Sequence, residues 1–283
     1  MSLNDPRQSA RDLIRKSVPS QQWTQNSKFI DRLRERIGRH PIAKHPVIES
    51  LNDSSFSLKA IRQIHLEYRH AIVQIFTDAL LMAQLQTRQL EPELESGTKM
   101  YARFLLTLNT LDEFGFKPGA DSSGYYRGNA LGAHYPLYEG VIDELGISQV
   151  EREQYKPSEL SHKLRSLLEN SYDNLSDVIS LLAAGERVVV LFSAPLRENA
   201  KTVGVDTSKG YYMNHGASDD DQAEGDDDTH EDDLWYVLMQ SLSPDKYART
   251  EKLFEEYCDL WVEFWDAQMK LIDQKVEALV SAR

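Results

Sequence analysis

The chain has 283 residues, 41% hydrophobic and 27% charged, the balance of a globular protein long enough to bury a sizeable core. A formal charge of −13 excludes the basic face that a nucleic-acid backbone requires, and a single cysteine, Cys258, excludes an internal disulfide framework. No apolar run reaches the roughly 20 residues of a membrane span and the N-terminus lacks an apolar signal core, so a cytoplasmic protein with neither nucleic-acid nor membrane partners is expected.

Residues 1–25 read as a looser N-terminal arm ahead of a helical domain over 26–283. Residues 56–88 carry apolar side chains at three- and four-residue steps without Gly or Pro, which predicts one core helix of about eight turns. A second helix over 98–114 stops at the Gly115, Pro118 and Gly119 cluster. The polar, Gly-rich stretch 115–133 follows as an insertion without a hairpin signal, and 134–145 is helical again with Gly146 as its C-cap. Residues 158–203 predict two helices, the second interrupted near Pro195. Within them RVVVLF (187–192) is β-branched, but the apolar surface continues on both sides, so it reads as helix. Two further helices follow an acidic stretch, the last opening with Ser243 as N-cap and Pro244 at N1. The whole is an all-α, single-domain bundle of seven to eight helices.

The acidic stretch, NHGASDDDQAEGDDDTHEDDLW (214–235), has ten acids among the fifteen residues 219–233, with His215 and His230 on either side of its densest part. Such a run is ordinarily a solvated loop. His40, His45 and His162 lie in polar or Pro-rich surroundings, and His65 and His70 are five apart on one helix, so they point to different faces. His134, His215 and His230 remain. All-α proteins build metal centres by pointing carboxylates and imidazoles from several helices into the bundle. Asp112 and Glu113, near Asn109, end an apolar helix, and Glu186 stands alone in the apolar run LLAAGERVVVLF. Either Glu186 is buried and compensated, by a metal or a partner, or it is exposed and paired with Arg187 or Arg197.

The segments LNTLDEFGF and AHYPLYEGVIDELGI (106–147) resemble the signature of the heme-oxygenase-like di-iron oxidases and oxygenases, relatives of the TenA, PqqC and CADD-like proteins. Asn109, Asp112, Glu113 and Gly115 match its first part; His134, Leu137, Tyr138, Leu145 and Gly146 match its second. Glu186 matches a lone Glu further on, and Tyr211, Tyr212, His215 and His230 match a closing His-x-x-x-Asp-x-x-His set. The implied metal ligands are Glu113, His134, Glu186, His215, an aspartate and His230. Asp227 keeps the spacing before His230 and Asp219 the spacing after His215; Asp227 is favoured, because it shares a helical face with His230. Two departures stand out: a longer segment between Glu113 and His134, and about eight extra residues between His215 and His230, read as a solvated loop inserted into a metal-binding helix.

The resemblance implies a heme-oxygenase-like fold holding two Fe(II) ions, O2 as co-substrate, and a small carboxylate-bearing substrate such as an amino acid or fatty acid. It also implies a homodimer. Arg127 and Tyr126 in the insertion, and His70 on the long helix, are candidate substrate contacts. Two other classes stand beside this one: a metal-free, TenA-like hydrolase whose nucleophile would be Cys258, and a non-catalytic acidic binding protein.

Overall fold

Asp5 and Pro6 start the first helix, α1 (Pro6–Ser17). The Asp5 carboxylate accepts a hydrogen bond from the Arg7 amide at 2.9 Å, and Pro6 sits at the helix start, where no amide donor is needed. Ala10 and Ile14 on its inner face are buried, so the segment expected as a loose arm is packed helix. The amphipathic spacing of those two residues gives it a face to bury. The computed structural model describes residues 5–120, 122–215 and 226–281, with side chains for all of these except 226–228 and 273–281.

α1 leads into α2 (Ser20–Arg39), α3 (Val47–Asn52) and α4 (Leu58–Tyr68). The predicted long helix does not run unbroken. α4 passes into a π-turn at Arg69–Val73, where the Gln74 amide donates to the Arg69 carbonyl at 3.1 Å, before α5 (Phe76–Gln86) resumes. Apolar periodicity cannot distinguish such a one-residue insertion from continuous helix, because the face shifts by less than a third of a turn.

α6 (Lys99–Glu113) is followed by an exposed antiparallel hairpin, β1 (Phe116–Ala120) with β2 (Tyr126–Gly128), instead of the irregular insertion expected. Its strands lack alternating apolar residues because neither face is covered. Then come α7 (His134–Glu144), capped by Gly146 at φ +71°, α8 (Gln149–Gln154) and α9 (Glu159–Glu169). The last elements are α10 (Leu175–Thr202), the short α11 (Tyr211–Asn214), α12 (Asp226–Ser241) and α13 (Tyr247–Ser281).

α10 is the central helix, packed against α12, α13, α3 and α5. Every residue from Leu175 to Glu186 is buried, as in a helix surrounded on all sides. RVVVLF is helical, as expected. The expected interruption at Pro195 is absent: α10 runs through it. The missing amide bond is offset by packing on both sides, where Phe192, Leu196 and Ala200 are buried. Asn199 pins the far half by exchanging hydrogen bonds of 3.2 Å with the Phe56 backbone. Trp261, Phe264 and Trp265 of α13 are fully buried core, Trp265 stacking on Phe192 at 4.6 Å. Ser243 precedes a short 3-10 turn, not α13 itself, and its side chain makes no capping bond. Among the described residues no helix is long and apolar enough to cross a membrane.

Candidate metal centre

Five elements converge on one buried point. α6 delivers Asp112 and Glu113 in its last turn, and α10 delivers Glu186 from its most enclosed stretch. α7 opens with His134, α11 closes on His215, and α12 carries His230 one turn from its start. The short α11 is anchored by its own tyrosine. His65 Nδ1 donates to the Ile61 carbonyl at 2.7 Å, so its Nε2 accepts from the Tyr212 hydroxyl at 2.6 Å. Burial therefore keeps His65 neutral, its pKa lowered to about 4.

Glu113, His134, Glu186, His215 and His230 are all buried. The exposed reading of Glu186 is overturned: it is 2% exposed, and Arg187 faces Glu231 at 3.7 Å. Glu113 Oε1 lies 3.0 Å from His134 Nδ1, which lies 3.0 Å from His215 Nε2. These are hydrogen-bond separations, and a cation on this side would draw on the same three side chains. On the other side, ligand atoms of Glu113, Glu186 and His230 lie within 4.8 Å of one another. Glu113 belongs to both groups. Burial pushes its carboxyl up, but its contact and hydrogen bond with His134, with His215 and His230 close by, outweigh this and hold it below the usual glutamate range.

His230 gives the sharpest test of fit. Its Nε2 lies 3.0 Å from Asp112 Oδ2; a carboxylate only accepts, so Nε2 carries the proton. That leaves Nδ1, 3.7 Å from Glu186 Oε1 and without a hydrogen-bond partner among the described residues, as the ring atom available to a ligand. A buried ring nitrogen left unpaired beside carboxylates is costly unless a proton or a metal ion lies between them. The residues present fit a metal.

Asp112 is itself held. Arg7 of α1 donates from Nη2 to Asp112 Oδ2 at 3.0 Å, and from Nη1 to Asn109 Oδ1 at 2.9 Å and to Asp233. Arg11, one turn on, donates to the other oxygen of Asp233 at 2.9 Å. Sequence reasoning named Asp112 and Asn109 without a role and missed Arg7, Arg11 and Asp233. The signal was present in the Asp5–Pro6 helix start and the i, i+4 spacing of the two arginines.

Beside the cluster lies a cavity of about 30 Å³, lined by Glu113, His134, Glu186 and His215 on one side and by Ile72, Val73, Phe76 and Val189 on another. This suffices for water or O2 but not for an amino acid. Its apolar wall includes residues of the π-turn, a feature that recurs at functional sites.

The expected substrate contacts do not line this cavity. Tyr126 and Arg127 are exposed on the hairpin, which stands clear of the core because it has no apolar face to bury. His70, five residues after the buried His65 and so on another face, pairs instead with His162 at 2.9 Å. The backbone of Asp227 lies in α12, one turn before His230, but its side chain is not among those described; Asp219 and the stretch 216–225 expected as a loop lie outside the described residues. Cys258 is buried in another region, where burial and then Asp259 and Glu255 push its thiol up to about 12.

The chain resembles a TenA homologue from Pseudomonas syringae with a TM-score of 0.61 at 14% identity, over 88% of this chain and 93% of that one. It resembles a CADD-like protein of unknown function from Nostoc punctiforme with a TM-score of 0.60 at 15% identity, over 89% and 98%. A TenA family transcription regulator from Silicibacter aligns with a TM-score of 0.52 at 14% identity, over 81% and 89%. No protein-family model and no curated protein matches the sequence. At these identities the likeness shows the fold alone: an all-α helical bundle like that of the TenA and CADD-like structures, as expected.

Proposed function

We propose that this protein is a non-heme di-iron oxidase or oxygenase that activates O2 to oxidise a small carboxylate-bearing substrate, by N-oxygenation, desaturation or C–C cleavage of an amino acid or fatty acid. The observation that carries the reading is Glu113. It sits between two imidazoles on one side and a Glu–His pair on the other, the place a bridging carboxylate occupies between two cations. His134 and His215 would hold one ion with Glu113; Glu186 and His230 would hold the second with it, and Asp227 is the sixth ligand proposed. Ferrous ions, if held there, would supply the electrons that O2 reduction needs.

The chain's own residues do the rest. Asp112 accepts a hydrogen bond from His230 Nε2 and so turns its Nδ1 inward. Ile72, Val73, Phe76 and Val189 keep water from the reacting face. The cavity must widen to admit substrate, and the π-turn at its wall is the local irregularity able to yield.

The metal-free hydrolase has less support. Its nucleophile would be the chain's one cysteine, and a buried thiol with a pKa near 12 is inert at neutral pH. The test is O2 uptake by anaerobically iron-loaded protein, screened over amino-acid and fatty-acid substrates. Substrate-triggered uptake that is lost in Glu186→Ala supports the reading. Iron-loaded protein that consumes no O2 with any of them, or a Glu186→Ala variant that consumes it as wild type does, overturns it.

A further inference from the structure

We infer that Arg7 of α1 is a positioning residue of the metal centre, acting through Asp112 on the imidazole of His230. The inference rests on the metal reading above. Asp112 Oδ2 is one atom with two donors: His230 Nε2 at 3.0 Å and Arg7 Nη2 at 3.0 Å. The guanidinium therefore fixes the oxygen that fixes the ring. Arg7 also reaches the His230 backbone, because Asn109, whose Oδ1 it binds, donates from Nδ2 to the His230 carbonyl at 3.4 Å. Arg11 holds the residue before, donating to the Thr229 carbonyl at 3.3 Å. Side chain and backbone of one ligand are thus set by a helix that contributes no ligand itself.

The network is balanced in charge: Arg7 and Arg11 face Asp112 and Asp233. Its influence on a bound cation is accordingly through geometry. This matters for the sign of the effect. If Arg7 acted only as a nearby positive charge, removing it would tighten cation binding. If it orients His230, removing it weakens binding, as loss of a ligand's hydrogen-bonded support typically does by about 10–100-fold.

The experiment is anaerobic Fe(II) titration against a chromophoric chelator, with Co(II) absorption as a second readout. It compares wild type, Arg7→Ala, Arg7→Lys, Asp112→Ala, the Arg7→Ala/Asp112→Ala double variant and Glu113→Ala, each at a temperature well below its own unfolding midpoint. Arg7→Ala is expected to weaken one site about 10–100-fold and to alter the Co(II) ligand-field bands. Arg7→Lys should recover only part of this, since an ammonium cannot span Asp112, Asn109 and Asp233 as the planar fork does. The double variant should lose less affinity than the sum of the two single losses, because Arg7 acts chiefly through Asp112. Wild-type or tighter affinity in Arg7→Ala, or strictly additive losses in the double variant, overturns the role of Arg7. Should Arg7→Ala fail to fold, Arg7→Lys decides: wild-type affinity and an unchanged Co(II) spectrum overturn it. Equal binding by wild type and Glu113→Ala overturns the metal reading itself, and is distinct from every outcome that touches Arg7 alone.

Discussion

Glu113 Oε1 lies 3.0 Å from His134 Nδ1, although the whole segment 114–133 separates them in the chain. Gly115 closes that segment. It adopts φ +80°, and a Cβ there would lie 2.5 Å from the Ala133 nitrogen and 2.6 Å from the Asn129 carbonyl oxygen. Both are backbone atoms that cannot swing aside, and Ala133 directly precedes His134. Gly115→Ala should therefore cost more than the roughly 1–3 kcal/mol of a strained left-handed residue, and should separate Glu113 from His134. Urea denaturation together with Fe(II) titration checks this. Unchanged stability and affinity would show that the hairpin base does not set the distance between these two ligands.

Glu186 predicts a conflict between stability and function. A carboxylate enclosed by α10 and set near Glu113 costs the metal-free protein desolvation and like-charge repulsion. Glu186→Gln should raise the stability of the metal-free form by about 1–2 kcal/mol, and its midpoint by a few degrees, while weakening metal binding. Calorimetry with and without Fe(II) measures both. A metal-free variant less stable than wild type would contradict the argument.

His65 links stability to pH at a distance from the ligands. Its folded pKa is lowered to about 4 from the ordinary 6.5, by burial. The unfolded chain therefore binds the extra proton first as pH falls. The contribution is present above about pH 6.5 and is lost on descending towards pH 4, reaching about 2 kcal/mol at pH 5. His65→Gln should flatten the difference in unfolding free energy between pH 7.5 and pH 5 by that amount. Parallel pH profiles of the two proteins would refute the assignment.

The helices were largely legible because their apolar periodicity is dictated by burial: α6, α7, α10 and α13 stand where spacing, Gly115, Gly146 and the apolar run around Glu186 put them. The π-turn was not, since one extra residue leaves the apolar pattern of 56–88 intact. Nor was the hairpin, whose strands bury nothing and so carry no alternation. Within the site, acids and histidines in apolar or family-like contexts were readable one by one. Their mutual distances were not, because Glu113, His134 and Glu186 come together only through the packing of α6, α7 and α10. Arg7 and Asp233 escaped notice for the same reason: the helix start and the i, i+4 arginines mark α1 as a helix, but nothing at either end of the sequence names the partner of a salt bridge across most of the chain.

The central claim is that Glu113 is shared between two cations, and metal stoichiometry tests it most directly. Protein loaded with Fe(II) without oxygen and desalted should retain two ions per chain in wild type. Glu186→Ala should retain one and Glu113→Ala close to none, because only Glu113 belongs to both groups of ligands. Two ions retained in Glu113→Ala, or none above background in wild type, would contradict the account.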